Sequence, residues 1–141
     1  MMQRGFTLIE SVAVLTILSI ISIVIINRTR INSEIVSETE ILKSHLRYIQ
    51  FKALSDDSCT NCYGITMSSN SYTAKPATII LPGEQSPTHA LSKNNISITG
   101  NNITFDRWGS ANANEQITLT LSDTNGNSRT ITISPVTGFI E

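Results

Sequence analysis

Two cysteines separated by two residues are the clearest candidates for chemistry in this sequence. Cys59 and Cys62 lie in the run Cys-Thr-Asn-Cys, a spacing that redox motifs, zinc sites and short disulfide loops all use. A redox motif would be surrounded by a βαβ pattern, which the flanking sequence lacks. A zinc ion would need four ligands, and only His45 and His89 remain as obvious candidates. We therefore predict no metal site, and the state of the two thiols depends on their compartment.

The other titratable residues form no pattern that is typical of an active site. His45 lies in a charged stretch, where we expect a solvated position, and His89 lies in a Pro-rich loop with no motif around it. The adjacent Asp56 and Asp57 are typical of a turn cap or of a pair that faces water. No phosphate-binding loop, metalloprotease motif or nucleotide fingerprint is present. We predict that the chain is not an enzyme and has no catalytic residue and no cofactor.

Glu10 is a carboxylate inside an apolar segment. It is the only ionisable residue from Phe6 to Ile26, a stretch that would measure about 31 Å as a helix and could cross a bilayer core. A secretory signal peptide would need a small-x-small cleavage site after the apolar run, and none follows Ile26. A plain membrane anchor would leave the carboxylate unexplained, because burying it at the centre of a membrane helix costs ~2.5–3.5 kcal/mol.

The stretch Arg4–Glu10, which reads Arg-Gly-Phe-Thr-Leu-Ile-Glu, resembles the class III leader of type IV prepilins and pseudopilins. In that family a membrane aspartyl peptidase, the prepilin peptidase, cuts after the glycine and methylates the new amino terminus. The resemblance implies cleavage between Gly5 and Phe6, N-methylation of Phe6, and a role in assembly for Glu10. Glu10 could pair with the Phe6 amine of a neighbouring subunit, so that two costly charges compensate each other. The alternative is a carboxylate at the helix end that reaches towards the membrane surface.

The same leader implies that the rest of the chain faces the periplasm, where thiols are oxidised by default. We therefore favour a structural disulfide between Cys59 and Cys62 that holds the loop after the helix. The closed loop is short, so its entropic stabilisation is modest.

The helical pattern continues beyond the apolar segment. Apolar residues recur at spacings of mostly three, four or seven with charged residues between them, and no Pro or Gly occurs from Phe6 to Leu54. This predicts one helix of about 48 residues. We divide the chain into a leader (1–5), the transmembrane part of the helix (6–27), its amphipathic part (28–54) and a periplasmic β-rich head (55–141). The predicted buried stripe comprises Ile31, Ile35, Leu42, Leu46, Ile49 and Ala53.

From Asp56 onwards, short apolar alternations are separated by polar turns, as in half-buried antiparallel strands. Asn125 and Gly126 predict a hairpin between the last two long strands, and residues 82–95 predict a loop-rich region. The fold class is therefore α+β, with the long N-terminal helix packed on an antiparallel β-sheet head. The predicted strands are Tyr63–Met67, Ser71–Lys75, Thr78–Leu81, Ile96–Thr99, Ile103–Asp106, Gln116–Leu121, Arg129–Ser134 and Phe139–Ile140.

The order of features in the head is similar to that of GspH/FimT-type minor pseudopilins and minor pilins. An Ile-Thr-Phe strand precedes Asp106–Ala111, a strand pair follows, and the chain closes with Thr137-Gly138-Phe-Ile. The resemblance implies a low-abundance filament subunit, inserted once in the bacterial inner membrane with its head in the periplasm. It would assemble through its N-terminal helix with other pilin or pseudopilin subunits, in a type IV pilus or a type II secretion pseudopilus. Trp108, beside Gly109, is expected to be a partly buried turn anchor.

The charge of the head argues against nucleic acid as a partner. Residues 55–141 contain four basic and seven acidic side chains, which gives a net charge of −3. Binding to phosphates needs clustered positive charge, so we expect no DNA binding. A binding module at the filament tip, either an adhesin or a DNA receptor for uptake, is the alternative function.

Overall fold

One long helix dominates the first part of the chain. The computed structural model describes residues 7–58, 62–91, 95–111 and 113–141, with only the backbone for residues 24–33. Helix α1 runs over Leu8–Ser55, 48 residues, as the sequence predicts. In the part of the chain that is described, no helix combines the length and the apolar character needed to cross a membrane. The chain divides into two units, Met1–Ser33 and Glu34–Glu141, which are described separately.

In the second unit, α1 packs through the predicted apolar stripe. The side chains of Ile35, Leu42, Leu46, Ile49 and Ala53 are buried, because their spacing places them on one face of the helix. The side chain of Ile31, the remaining member of the predicted stripe, lies outside the described residues.

Two antiparallel sheets form the rest of this unit. The first has the strand order β3-β2-β1-β5, and the second has the order β4-β6-β7. Buried residues alternate along the strands, so each sheet has one apolar face, and these faces form one core with the helix. The strands are β1 (Tyr63–Ser68), β2 (Ser71–Lys75), β3 (Thr88–Ala90), β4 (Ile96–Thr99), β5 (Ile103–Phe105), β6 (Ile117–Asp123) and β7 (Ser128–Ile133).

The predicted hairpin near the end of the chain is confirmed. Strands β6 and β7 pair from Ile117 with Ile133 to Ser122 with Ser128. Gly126 has a φ of 85°, which a glycine adopts without steric cost. The side chain of Asp123 accepts hydrogen bonds from the amides of Asn125 and Asn127, both at 2.9 Å.

Two strand predictions in the head are wrong. Thr78–Leu81 forms no strand: the amide of Ile79 bonds the carbonyl of Pro76 at 3.1 Å, so the chain turns here. Instead, β3 arises inside the region predicted to be loop-rich, where Thr88–Ala90 pairs with β2. Phe139–Ile140 forms only a single bridge, between Ile140 and Ile133.

Candidate functional site

The start of α1 carries the residues that the leader resemblance selects. Gly5 and Phe6 lie outside the described residues, and Glu10 lies in the first helical turn. The amide of Glu10 donates to the hydroxyl of Thr7 at 3.4 Å and to the carbonyl of Thr7 at 3.1 Å. Thr7 is therefore the N-cap, and Glu10 occupies the glutamate position of a capping box. A carboxylate here also faces the positive end of the helix dipole.

The helix surface that follows Glu10 has no charged side chain as far as Ile23. Every side chain from Thr7 to Ile23 is exposed within the structure. An amphipathic surface helix would bury one stripe of its side chains, and this segment buries none of them. The large exposed apolar residues of this segment are Leu8, Ile9, Val12, Val14, Leu15, Ile17, Leu18, Ile20, Ile21 and Ile23.

The few hydroxyl groups in this segment are satisfied by the helix itself. Thr16 donates to the carbonyl of Ala13, Ser19 to that of Leu15 and Ser22 to that of Leu18, at 2.7–2.8 Å. A hydroxyl that is bonded in this way costs little in apolar surroundings, because no donor is left without an acceptor. These three hydroxyls therefore have acceptors within their own helix.

The cysteine pair is only partly visible. Cys62 is disulfide-bonded, and Cys59 lies outside the described residues, so the pairing of the two stays a prediction. On the helix side of this loop, the side chain of Asp56 accepts bonds from the Ser58 amide at 3.0 Å and the Tyr63 hydroxyl at 2.7 Å. These bonds hold the pKa of Asp56 below its ordinary value, with the Ser58 hydroxyl as the largest cause. Asp56 thus caps the turn, as predicted.

Both histidines belong to a buried polar cluster that the sequence does not predict. We define the histidine cluster as Glu38 and His45 of α1, Tyr72 of β2, His89 of β3 and Glu84 of the preceding loop. His45 is 2% exposed and His89 is 8% exposed, so the expected solvated position of His45 is wrong. The two rings lie 5.7 Å apart, and Tyr72 stacks on His89 at 5.0 Å.

The hydrogen bonds of His89 require a charged ring. Its Nδ1 lies 2.6 Å from Oε1 of Glu84, and its Nε2 lies 2.8 Å from Oε2 of Glu38. Carboxylate oxygens accept, so both ring nitrogens donate and His89 is an imidazolium between two carboxylates. The three groups carry a formal net charge of −1, with His89 and Glu38 buried and the Glu84 side chain 32% exposed.

His45 takes the opposite charge state. Its Nε2 lies 2.9 Å from the carbonyl oxygen of Pro82, which can only accept, so Nε2 carries the proton. Its Nδ1 then accepts from the Tyr72 hydroxyl at 2.8 Å. Burial is the largest cause and lowers the pKa of His45, the bond to the Pro82 carbonyl opposes it, and His89 adds a smaller lowering, so the net direction favours the neutral ring. Burial also raises the pKa of the Tyr72 hydroxyl, with smaller contributions from Glu38 and Glu84.

This arrangement ties α1, β2 and β3 together. Each ring nitrogen of the two histidines has a hydrogen-bond partner. Among the described residues, no group of three or more His, Cys, Asp or Glu side chains has the geometry to hold a metal ion. The cluster therefore fixes the loop from Pro82 to His89 against α1.

The helical spacing of the sequence indicates that His45 is buried. It follows Leu42 by three residues and precedes Ile49 by four, which places it within the buried stripe rather than beside it. Glu38 precedes His45 by seven residues and shares the same face. No local pattern links either residue to His89, because the contact joins residues 51 positions apart in the chain.

Trp108 is also placed differently from the expectation. Its side chain is 73% exposed, with the Arg107 guanidinium 5.3 Å from the ring centroid. The turn that carries it is ordered by Asp106, whose side chain accepts from the amides of Trp108 and Ser110. The turn therefore anchors itself through Asp106 and presents the indole ring to solvent.

Comparison with known proteins gives two findings. Residues 1–26 match the family model described as the prokaryotic N-terminal methylation motif. A solved structure similar to the chain is that of the type IV minor pilin FimU from Pseudomonas aeruginosa, with 18% identity and a TM-score of 0.59 over 78% of this chain and 88% of that chain. No curated protein matches the sequence. The motif and the pilin-like α+β fold confirm the type IV pilin-like resemblance.

Proposed function

We propose that this chain is a minor structural subunit of a type IV pilin-like filament, either a pilus or a type II secretion pseudopilus. The observation that carries the proposal is the helix segment from Ser11 to Ile23, which has no charged side chain, exposes its apolar residues and leaves no described hydroxyl without an acceptor. Such a surface is stable in lipid before assembly and among other helices afterwards. The N-terminal methylation motif and the pilin-like fold support the same role.

In this proposal the segment 6–27 anchors the precursor once in the inner membrane, and the head lies in the periplasm. Prepilin peptidase cleaves after Gly5 and methylates Phe6. Glycine at that position suits the peptidase because it lets the backbone enter a narrow cleft. We expect Gly5→Leu to block cleavage, and Gln3→Leu, two residues upstream, to leave it intact. Mass spectrometry of the membrane-extracted protein would show a methylated Phe6 terminus, and intact Met1 or Met2 on assembled protein would contradict the assignment.

Glu10 acts in assembly according to this proposal. After cleavage the Phe6 amine is a positive charge at the edge of an apolar helix bundle, and the carboxylate of an adjacent subunit can neutralise it. Removing one partner of a buried ion pair costs roughly 3–5 kcal/mol, so recruitment to neighbouring subunits should fail. The cell should still process a Glu10→Leu variant and insert it in the membrane, since this substitution removes a costly carboxylate.

The capping position of Glu10 offers a competing role, and one substitution separates the two. Glutamine suits the capping box as well as glutamate does, but it cannot neutralise an amine. If charge pairing matters, Glu10→Gln and Glu10→Leu should both lose co-purification with other filament subunits. Glu34→Gln, an exposed glutamate of the same helix, is the matched control. Normal recruitment of the Glu10→Gln protein would exclude pairing with the amine.

We propose that Cys59 and Cys62 form the disulfide that closes the loop after α1. Disulfide-bonded Cys62 supports this pairing, and the sequence has only two cysteines. Thiol labelling of periplasmically exposed protein should succeed only after reduction. Replacing both residues by serine should reduce the free energy of unfolding by no more than about 3 kcal/mol, because the closed loop is short. Full labelling without reductant would contradict the pairing.

A further inference from the structure

A second exposed apolar surface lies in the head, at the end of α1. We define the aromatic patch as Phe51, Leu54, Trp108, Val136 and Phe139, which are each more than half exposed. They come from three segments: the last turns of α1, the turn that follows β5, and the segment that follows β7. Aromatic residues exposed together in a soluble domain mark an interaction site, because leaving them in water has a cost that folding alone does not require.

The three segments are held together by hydrogen bonds and close packing. The Gln50 side chain, on α1, donates to the carbonyls of Gly109 at 2.8 Å and Gly138 at 3.0 Å. A Cβ added at Gly138 would overlap the carbonyl oxygen of Gly109, so the two backbones touch. The Leu54 side chain lies 3.2 Å from the position of a Cβ on Gly109. The three segments that carry the patch are therefore in direct contact with one another.

Hydrogen bonds also hold the backbone of the two loop segments that carry the patch. Asp106 accepts from the amides of Trp108 at 2.9 Å and Ser110 at 2.8 Å. The Ser110 hydroxyl donates to the Val136 carbonyl at 2.6 Å, and the Phe139 carbonyl accepts from the Ser134 amide at 2.9 Å. A surface that is ordered before binding loses little conformational entropy when a partner arrives.

Two arginines flank the patch without carboxylate partners. The Arg107 guanidinium lies over the Trp108 ring, and that of Arg47 donates to the Ile140 carbonyl at 3.4 Å. Among the described residues, neither guanidinium forms an ion pair within 4.0 Å. The carboxylate of Asp106 is already engaged with two amides of its own turn. The patch thus combines exposed apolar side chains with two guanidinium groups that have no ion-pair partner among the described residues, on a head whose net charge is negative.

We propose that the aromatic patch binds the head of a different filament subunit, through an apolar side chain flanked by carboxylates. This rests on the proposed function as a filament subunit. A symmetric contact between two copies would bring Arg47 and Arg107 of each copy towards like charges, which disfavours a dimer through this surface. Anionic lipid is disfavoured by the net charge of −3 on residues 55–141. A heterologous contact with an acidic apolar surface satisfies both the exposed rings and the two guanidinium groups.

The test is photo-crosslinking in cells that carry the complete assembly machinery. A benzoyl-phenylalanine at position 139 is expected to crosslink to a peptide of another pilin-like subunit that has Asp or Glu within a few residues. Arg107→Glu should lower this yield roughly tenfold or more, as for loss of an interface anchor, and Trp108→Ala should do the same. Arg107→Lys should retain most of it. Arg129→Glu on β7, an exposed arginine outside the patch, is the matched control.

A second crosslinker position separates this proposal from the proposed function. The same group at Ile17, on the exposed apolar helix, reports assembly through the N-terminal segment. Crosslinks from Ile17 without crosslinks from position 139 would overturn the patch proposal and leave the filament role intact. Absence of both would count against the filament role itself. Crosslinks from position 139 to a second copy of this chain, or to lipid alone, would also overturn the proposal.

Discussion

The charge of each buried histidine is set by the oxygen atoms that face it. His89 lies between two carboxylates and is positive, whereas His45 faces a carbonyl and a hydroxyl and is neutral. The two rings are neighbours, so the charge of one disfavours charge on the other. Because the two residues hold opposite charge states, they should respond differently to substitution and to pH.

Substituting His89 should be strongly destabilising. His89→Ala leaves the carboxylates of Glu38 and Glu84 without the imidazolium that joins them, and the Glu38 carboxylate is buried. Breaking a buried pair from one side costs roughly 3–5 kcal/mol. Urea unfolding of the detergent-solubilised chain measures this loss, with Glu34→Ala as the exposed control on the same helix. A loss for His89→Ala as small as that of the control would mean that the cluster contributes little.

The pH dependence of stability should reveal the neutral state of His45. Its pKa in the folded chain lies below the ordinary value of 6.5, because burial disfavours the charged ring. Between these two pKa values the unfolded chain binds a proton at His45 that the folded chain does not, so stability falls as the pH falls. We expect the wild type to lose more stability than His45→Gln between about pH 7.5 and about pH 5. Equal losses would indicate that His45 binds its proton equally well in the folded and the unfolded chain.

At the scale of elements, the β6–β7 hairpin depends on a single left-handed residue. Gly126 has a φ of 85°, and a Cβ added there would meet no atom within 4 Å. The cost of Gly126→Ala is therefore conformational rather than steric, about 1–2 kcal/mol. Asparagine tolerates this conformation better, so Gly126→Asn should cost less than the alanine variant. Thermal unfolding of both variants tests the order, and equal costs would point to a different cause.

Elements with local causes can be predicted from the sequence, and elements that depend on distant partners cannot. The stripe from Ile35 to Ala53 and the β6–β7 hairpin have local causes, namely a helical period and an Asn-Gly turn, and both predictions are confirmed. Strand β3 has only three residues and exists through its pairing with β2 and the contact of His89 with Glu38. Such a strand depends on partners far away in the sequence, and periodicity does not report those partners.

The candidate sites also differ in whether their residues are adjacent in the sequence. The leader and Glu10 can be selected from one contiguous run of residues, and a match to residues 1–26 bears out the motif. The aromatic patch combines Leu54, Trp108 and Phe139 from three separate segments. The sequence predicted a partly buried Trp108 because tryptophan beside glycine is usually half covered in a turn. It could not show that Asp106 holds the turn through bonds to the Trp108 and Ser110 amides, so that the indole ring is exposed to solvent.

At the scale of the whole molecule, the core belongs entirely to the second unit. All buried apolar residues of the described chain lie between Ile35 and Ile140. A fragment Glu34–Glu141 therefore keeps the core intact, and we expect it to unfold cooperatively. Its melting temperature should differ from that of the detergent-solubilised full chain by no more than about 5 °C. A gradual transition followed by circular dichroism would show instead that residues before Glu34 are needed for stability.

The exposed position of Trp108 has a consequence for spectroscopy. It is the only tryptophan in the sequence, so it dominates the intrinsic fluorescence of the chain. Because its ring is already in water in the native state, urea should hardly move the emission maximum while the circular dichroism signal is lost. Intrinsic emission is thus a poor reporter of folding in this protein and a sensitive reporter of anything that covers the indole ring. A large red shift on unfolding would mean that the ring is covered in the native protein.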